Sequence, residues 1–425
     1  MTTPGIPSEV TRTQVFRARA AVFAMFFTNG CLFANIVPRL PEIKQTFGLS
    51  DFAYGWVVIL FTVGALLFGP FAGAMMRRLT SRVTAATCTA AIGVLLSAAA
   101  FAVHAGQQAG ESAGTGIAPT GYLIAFGVLY FLAGSWDAIT DVAQNAHGLR
   151  VQRHYRRSII TAFHGGWTVG AAAGGLMGIA AVSAGLPIHI HLAIAAVLNV
   201  IVSAVAAIFG LHGRDEDDPG LGSAEDGGRQ KMRTVRIPAV VALVLLTVLS
   251  LSGTLAEDAN STWSTLYMGR ELGVSAGLAG TAFVAFLVGQ AIGRFTSDAL
   301  IDRVGARQTV LAGGVLTVVG MGAALAFPSV PLTLVGMALA GFGNAALVPV
   351  AMNAADDLPG LKAGTGLTVV TWLMRCAGLI SPPVVGAIVE RTSLTVAMAV
   401  IPLAGLLAVL TAFVLAPRED VTARG

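Results

Sequence analysis

Residues 136–178 read WDAITDVAQNAHGLRVQRHYRRS and then IITAFHGGWTVGAAAGGLMG, two apolar segments joined by a strongly basic hairpin. Asp137, Asp141 and Asn145 fall at i, i+4 and i+8, which stacks them on one helical face. The returning segment carries His164 and Trp167, then Gly170, Gly174 and Gly178, a small-residue stripe that lets another helix approach closely. At about 1.5 Å per residue from the hairpin, Asp141 and His164 reach comparable depth. Ionisable groups at that depth in an apolar helix pair are costly, which makes them functional candidates.

The rest of the chain extends this pattern. Of its 425 residues, 55% are hydrophobic and 11% charged, and the mean hydropathy is +0.77. The apolar content falls in blocks of about 20 residues, each long enough to cross a hydrocarbon layer of roughly 30 Å. Only helices satisfy the backbone within lipid over blocks of that length, so the expected class is an all-α polytopic membrane protein. Spans are expected over about 20–41, 52–76, 83–104, 121–148, 159–182, 190–211, 237–263, 277–300, 308–327, 331–354, 363–389 and 394–416, twelve transmembrane helices in all. The first block follows Arg12, Arg17 and Arg19 and lacks a small-residue cleavage site, so it reads as a retained span.

Arginine and lysine set the topology. The N-terminal tail, the loops holding Arg77, Arg78 and Arg82, then Arg150, Arg153, Arg156 and Arg157, then Arg303 and Arg307, and the 213–236 segment are basic. The alternate loops hold only Arg39, Lys44, Arg270 and Arg391, so the basic loops and both termini are expected in the cytoplasm. The same distribution makes the net charge of +4 a matter of topology rather than of nucleic-acid binding. Cys31, Cys88 and Cys376 show no metal or disulfide spacing. Gly213 to Arg236, rich in glycine and in charges of both signs, reads as a cytoplasmic linker between an N-terminal bundle, 1–212, and a C-terminal bundle, 237–425. His104 to Thr120 reads as a disordered external connection.

An internal repeat supports the halving. At an offset of 225, Gly48, Ser50, Gly55, Gly64, Arg78 and Arg82 recur as Gly273, Ser275, Gly280, Gly289, Arg303 and Arg307. At 207 to 208, Gly134 and Asn145 recur as Gly341 and Asn353, and Gly170 and Gly178 as Gly378 and Gly386. Repeats of this kind place a transporter's central site between two rocking halves.

With the loop Asp302-Arg303-Val304-Gly305-Ala306-Arg307 after span 8, the chain resembles the major facilitator superfamily over essentially its full length. The first copy, Gly73 to Arg82, departs from that family's pattern, with Arg77 in place of the acid and Thr80 in place of the glycine. That departure, together with Pro41-Glu42-Ile43-Lys44-Gln45-Thr46-Phe47 and Asp141-Val142-Ala143-Gln144-Asn145, is similar to the fucose:proton symporter branch. Phe163-His164-x-x-Trp167 and Glu257-Asp258-Ala259-Asn260-x-x-Trp263 are similar to poorly characterised bacterial permeases near it. The resemblance implies the major facilitator fold, two pseudo-symmetric six-helix bundles, and a proton-coupled sugar carrier in which Asp141 takes part in protonation. The branch's span 1 acid is unmatched; Val37 falls near that position, with Asn29 and Asn35 the nearest polar groups.

The residues themselves suggest roles. Asp141, Asp137, His164 and Glu257 are candidates for proton coupling, because a carboxylate or imidazole in a partly dry cavity can exchange protons near neutrality. The alternative for each is a structural polar group held by neighbouring helices. Asn29, Asn35, Asn145, Trp167, Asn260, Trp263 and Asn344 supply the amides and aromatic platforms that hold hydroxyl-rich solutes, although aromatics in membranes are more often packing. Arg375, about 18 Å into span 11, either pairs with an acid of span 4 or 7 or binds a substrate carboxylate. Arg77, Arg78, Arg82, Asp298, Asp302, Arg303 and Arg307 are candidate gate charges, and Arg294 and Asp298 are spaced to pair within span 8.

No signature for ATP hydrolysis, zinc or acyl transfer is present, so an enzyme is not expected. The expected protein is a monomeric secondary transporter of the bacterial inner membrane, with no cofactor beyond a proton gradient. It would move a small polar solute, a sugar or sugar acid, by alternating access and proton symport. A proton-coupled exporter of drugs or metabolites is the alternative; recurrent asparagines weigh against its more aromatic cavity. A non-transporting membrane sensor is a further one.

Overall fold

The computed structural model describes residues 11–155, 159–213, 237–356, 358 and 365–415. Residues 214–236 of the expected linker, Arg156 and Arg157, and the side chains of Asp298 and Arg375 lie outside the described set. Among the described residues, twelve helices are long and apolar enough to cross a membrane. They are α1 (Arg12–Thr46), α2 (Asp51–Leu79), α3 (Ser81–Ser112), α4 (Thr120–His154), α5 (Ala162–Ser183) and α6 (Ile188–Phe209). The second six are α7 (Ala239–Arg270), α8 (Ala276–Ser297), α9 (Ala306–Ala326), α10 (Val330–Ala355), α11 (Val369–Arg391) and α12 (Leu394–Val414). No strand occurs among the described residues.

Local sequence sets where these helices start and bend. Ser50 accepts from the Ala53 N–H and starts α2, and Ser393 does the same for α12 through Val396. Pro38 and Pro70 fall in short 3-10 turns that break α1 and α2, as proline's missing N–H demands. Large apolar side chains such as Val94, Phe101, Val197, Ile201 and Val205 point outward, while Thr28, Asn29, Thr84, Thr140 and Asn199 are buried between helices. That is the reverse of a water-soluble surface and suits a lipid surround.

The internal repeat reappears as helix crossings. A Cβ on Gly64 of α2 would collide with the Phe131 carbonyl of α4, and one on Gly134 of α4 with the Phe61 carbonyl of α2. In the second half Gly289 of α8 meets the Ala338 carbonyl of α10, and Gly341 of α10 meets the Phe286 carbonyl of α8. These pairs stand at the same offsets in sequence, so one close crossing, made possible by reciprocal glycines, is built twice. Gly170 and Gly174 bring α5 against the Phe27 and Cys31 carbonyls of α1 in the same manner.

The end that carries Arg77, Arg82, Arg150 and Arg307 is called the basic end here, and the opposite one the distal end. Between the halves, α5 packs along α8 and α2 against α11. The α2–α11 contacts are distal: Gly55 abuts Pro382, Gly386 abuts Asp51, and Glu390 accepts from the Phe52 N–H at 3.1 Å.

Two expectations are corrected. The glycine-rich 104–120 segment is not a disordered connection. Helix α3 continues to Ser112, and the turn that follows is fastened by the Ala118 N–H to the Thr46 carbonyl at 2.9 Å. Arg39 is no loop charge in water but is 4% exposed. It donates to Glu42 at 2.8 Å, to the Leu186 carbonyl at 2.5 Å and to His191 Nδ1 at 3.4 Å, while His191 Nε2 meets Asn35 Oδ1 at 2.8 Å. A buried guanidinium survives only with such a complete set of acceptors.

Candidate functional site

A cavity of about 280 Å³ lies between the halves. From the first half it is lined by Phe33 of α1, Phe61, Thr62 and Ala65 of α2, Asp137 of α4, and Trp167 and Ala171 of α5. From the second half come Glu257, Asp258, Asn260 and Ser261 of α7, and Phe283, Phe286, Leu287 and Gln290 of α8. Each half therefore contributes at least one carboxylate, and aromatic rings, to one chamber.

On the first wall a chain of hydrogen bonds fixes the geometry. Asn29 Nδ2 donates to Asp137 Oδ1 at 2.7 Å, and Trp167 Nε1 donates to Asn29 Oδ1 at 2.7 Å. The indole stacks on Phe33 with ring centroids 6.2 Å apart, and Phe33 meets Phe61 at 5.6 Å. The result is an aromatic surface with an acid at its edge, whose orientation is held by one asparagine.

The opposite wall is built around Glu257. Its Oε1 accepts from Gln290 Nε2, from Asn344 Nδ2 at 3.2 Å and from the Arg294 guanidinium at 3.3 Å. Arg294 also donates to Thr168 Oγ1 of α5 at 2.5 Å, so this guanidinium spans the two halves. Beside it, Asp258 Oδ2 and Asn260 Oδ1 are buried with no donor among the described residues. Buried acceptors left in that condition are costly, and a ligand's hydroxyl or ammonium hydrogens would satisfy them.

Several expected site residues sit elsewhere. Asp141 is outside the cavity lining and accepts from Asn145 Nδ2 at 3.0 Å and Gln144 Nε2 at 3.4 Å. His164 is exposed, with its ring edge-on to Phe26 at 5.2 Å. Asn35 and Asn145 donate to the carbonyls of Cys31 and Asp141 within their own helices. Trp263 is fully buried on the distal side, edge-on to Tyr54 at 5.2 Å, and the Tyr54 hydroxyl donates to the Thr262 carbonyl at 2.8 Å. Arg82 donates to the Ala207 carbonyl at 2.9 Å and meets His212 at 2.8 Å, contacts within the first half. Arg77, Arg78, Asp302 and Arg303 are exposed at the basic end, where Arg307 is half-buried. Arg294 is bound to Glu257 across a helix interface, and its expected pairing with Asp298 lies outside the described residues. Phe33, Phe61, Phe283, Phe286 and Gln290 were not expected from sequence, because within an apolar block nothing distinguishes a cavity-facing phenylalanine from a lipid-facing one.

The family model of the Major Facilitator Superfamily matches residues 22–267 and again 246–425. The chain belongs to that superfamily. This major facilitator chain is 26% identical to the uncharacterized transporter y4wD of Sinorhizobium fredii over 399 residues, 93% of this chain and 96% of that protein. Its fold is similar to a bacterial homolog of the human lysosomal transporter Spinster in an inward-facing, unoccupied conformation, with TM-score 0.66 and 14% identity over 95% of this chain and 98% of that one. It is also similar to FucP in the outward conformation, with TM-score 0.56 and 16% identity over 94% and 99% of the two chains. The molecule is thus a multi-pass membrane transporter of the major facilitator superfamily.

Proposed function

We propose that this transporter moves a small hydroxyl-bearing solute, a sugar or sugar acid, by alternating access in symport with protons. The observation that carries the reading is the chamber itself. A carboxylate from each half, Asp137 and Glu257, and two acceptors lacking donors, Asp258 Oδ2 and Asn260 Oδ1, surround a surface of Phe33, Trp167 and Phe61. A sugar presents hydrogen-bond donors at its rim and an apolar C–H face, and both have partners here. The volume of about 280 Å³ falls at the small end of ligand pockets. The basic end is taken as cytoplasmic, with both termini there and a bacterial inner membrane as the setting. The functional unit is a monomer of two bundles, 1–212 and 237–425, joined by the 213–236 linker.

In this mechanism a proton neutralises a cavity carboxylate, which lowers the cost of closing a dry chamber around the solute. Proteoliposomes with an alkaline lumen test it, offered labelled hexoses, deoxyhexoses and hexuronates. Gradient-driven accumulation of one of these should be lost in Asp137→Asn and in Glu257→Gln. Accumulation that survives both substitutions, or that ignores the gradient in the unmodified chain, refutes proton symport at this site.

One observation favours a second reading. Five aromatic residues line the cavity, and Asn260 is the single asparagine among its lining residues. That inventory suits a proton-coupled exporter of amphipathic compounds. Extrusion of a lipophilic amine from liposomes, with no uptake of any sugar or sugar acid, would select it.

A further inference from the structure

Arg294 lies about 15 Å along its helix from the Val304 end, deep in the membrane by that count. An uncompensated guanidinium at such depth is expensive. Glu257 is its ion-pair partner among the described residues, and the other edge of the same guanidinium rests on Thr168, whose hydroxyl donates in turn to the His164 carbonyl at 3.1 Å. One side chain therefore touches the substrate wall of the second half and the α5 helix of the first.

Consider what a proton on Glu257 changes. Its carboxylate is 40% exposed and lines the cavity, so water and solute reach it. Protonated on Oε2, it keeps a carbonyl-like Oε1 that still accepts from the neutral amides of Gln290 and Asn344. The attraction that is lost is the ionic one to Arg294. The charged and titratable groups around this point among the described residues are Asp258 on the same helix, Asp137 across the cavity, and His164 and Asp141 on the first-half side; the side chains of Asp298, one turn from Arg294 on its helix, and of Arg375 of α11 lie outside the described residues. His164 stands within electrostatic reach of both Asp141 and Arg294. A guanidinium released from Glu257 is thus drawn toward the first half, where Thr168 already holds one of its nitrogens and the Asp141 carboxyl group stands near.

We propose that Arg294 is the interlock of this carrier: it is held by Glu257 when that acid is charged and transferred to the α4–α5 face when Glu257 is neutralised, which draws α5 and α8 together at the basic end. The inference rests on the proton-coupled reading given above. It adds a positioning residue that reports the state of the cavity acid to the helix pair that must move. Because α5 and α8 already meet at Gly165 and Phe295 toward the basic end, a small shift of Arg294 acts on a seam that is in contact.

The test uses the full chain in lipid nanodiscs with Cys376→Ser and spin labels at Leu149 and Ala299, exposed positions on α4 and on the basic-end extension of α8. Glu257→Gln should move the distance distribution toward the shorter, closed population by about tenfold in the population ratio. Adding Arg294→Gln should cancel that shift, and Thr168→Val, which keeps the side chain's shape, should weaken it. Arg294→Lys, which keeps the charge, should preserve it in part. Distances that ignore Glu257→Gln, or a shift that persists in the Glu257→Gln, Arg294→Gln pair, overturn the interlock. The unmodified chain should show the same shift between alkaline and acidic buffer. If it does not, while the substitutions behave as stated, the interlock stands and proton coupling through Glu257 falls.

Discussion

Asn29 is a hinge of chemistry at the scale of one residue. Its amide donates to Asp137 and its oxygen receives Trp167, so it holds an acid and an aromatic platform in one fixed relation. Asn29→Ala strands both partners in a 3%-exposed site and should cost about 1–3 kcal/mol. Thermal unfolding in detergent checks this, and an unchanged midpoint would show that the two groups find other partners. The same residue explains what sequence could and could not reveal. Asparagines in apolar helices were expected to converge on a solute, yet Asn35 and Asn145 each donate to the carbonyl four residues earlier. A short amide in an apolar surround is most cheaply satisfied by its own helix, and nothing in the sequence says which asparagine is turned inward instead. Acids fared better in part: Asp137 and Glu257, legible as costly groups in apolar blocks, line the cavity, whereas Asp141, equally legible, does not. Arg294 was visible too, but Glu257, the acid on another helix that it binds, was not foreseen as a partner.

At the scale of elements, the two halves can be compared position by position. Gly48 and Gly273, at matching positions in the repeat, have φ of 57° and 64° and end the segments before the second and eighth spans. The next pair is unequal. Gly305, before α9, has φ 88° and ψ 156°, and Thr80, before α3, has φ 74° and ψ 154°. A β-branched residue in a region that glycine alone adopts freely stores about 1–3 kcal/mol of strain. Thr80→Gly should therefore stabilise the chain, by about 1 kcal/mol once the added freedom of the unfolded glycine is subtracted. A thermal midpoint that falls would mean the threonine side chain is compensated by a contact of its own. The sequence already marked this site, where the repeat and the family pattern both call for glycine. Conversely, Gly134→Val drives a side chain into the Phe61 carbonyl and should cost about 1–3 kcal/mol or more, seen as loss of folded, detergent-stable protein. The stripe of Gly170, Gly174 and Gly178 made a close helix approach readable in advance, though not which helix makes it. The 104–120 turn was not readable, because its composition suits a flexible loop and the bond that orders it comes from Thr46, far away in the chain.

For the whole molecule, the question is what holds the distal side shut. Above the cavity, Tyr54 and Trp263 form a fully buried plug contributed by both halves, fastened by the Tyr54 hydroxyl to the Thr262 carbonyl. Nearer the surface, Asp51 of α2 accepts from Arg270 of α7 at 2.7 Å and meets Lys44 at 3.4 Å. Arg270 is 50% exposed, so this latch contributes only on the order of 1 kcal/mol. A weak latch is what a carrier requires, since a strong one would trap it in one state. The plug instead supplies steric closure, through two large rings that must separate before a solute enters from the distal side. The two devices predict different phenotypes. Asp51→Asn should shift the distal-closed to distal-open ratio by about fivefold, read from spin labels at the exposed positions Glu111 and Leu278, and the shift should shrink as salt screens the wild-type pair. Tyr54→Ala should open a solvent path to the cavity with little dependence on salt, read as reaction of a cysteine placed at Ser261 with an impermeant thiol reagent added from the distal side. If Asp51→Asn leaves the distances unchanged while Tyr54→Ala admits the reagent, packing alone sets the closed state and the surface ion pair is a consequence of closure rather than a cause.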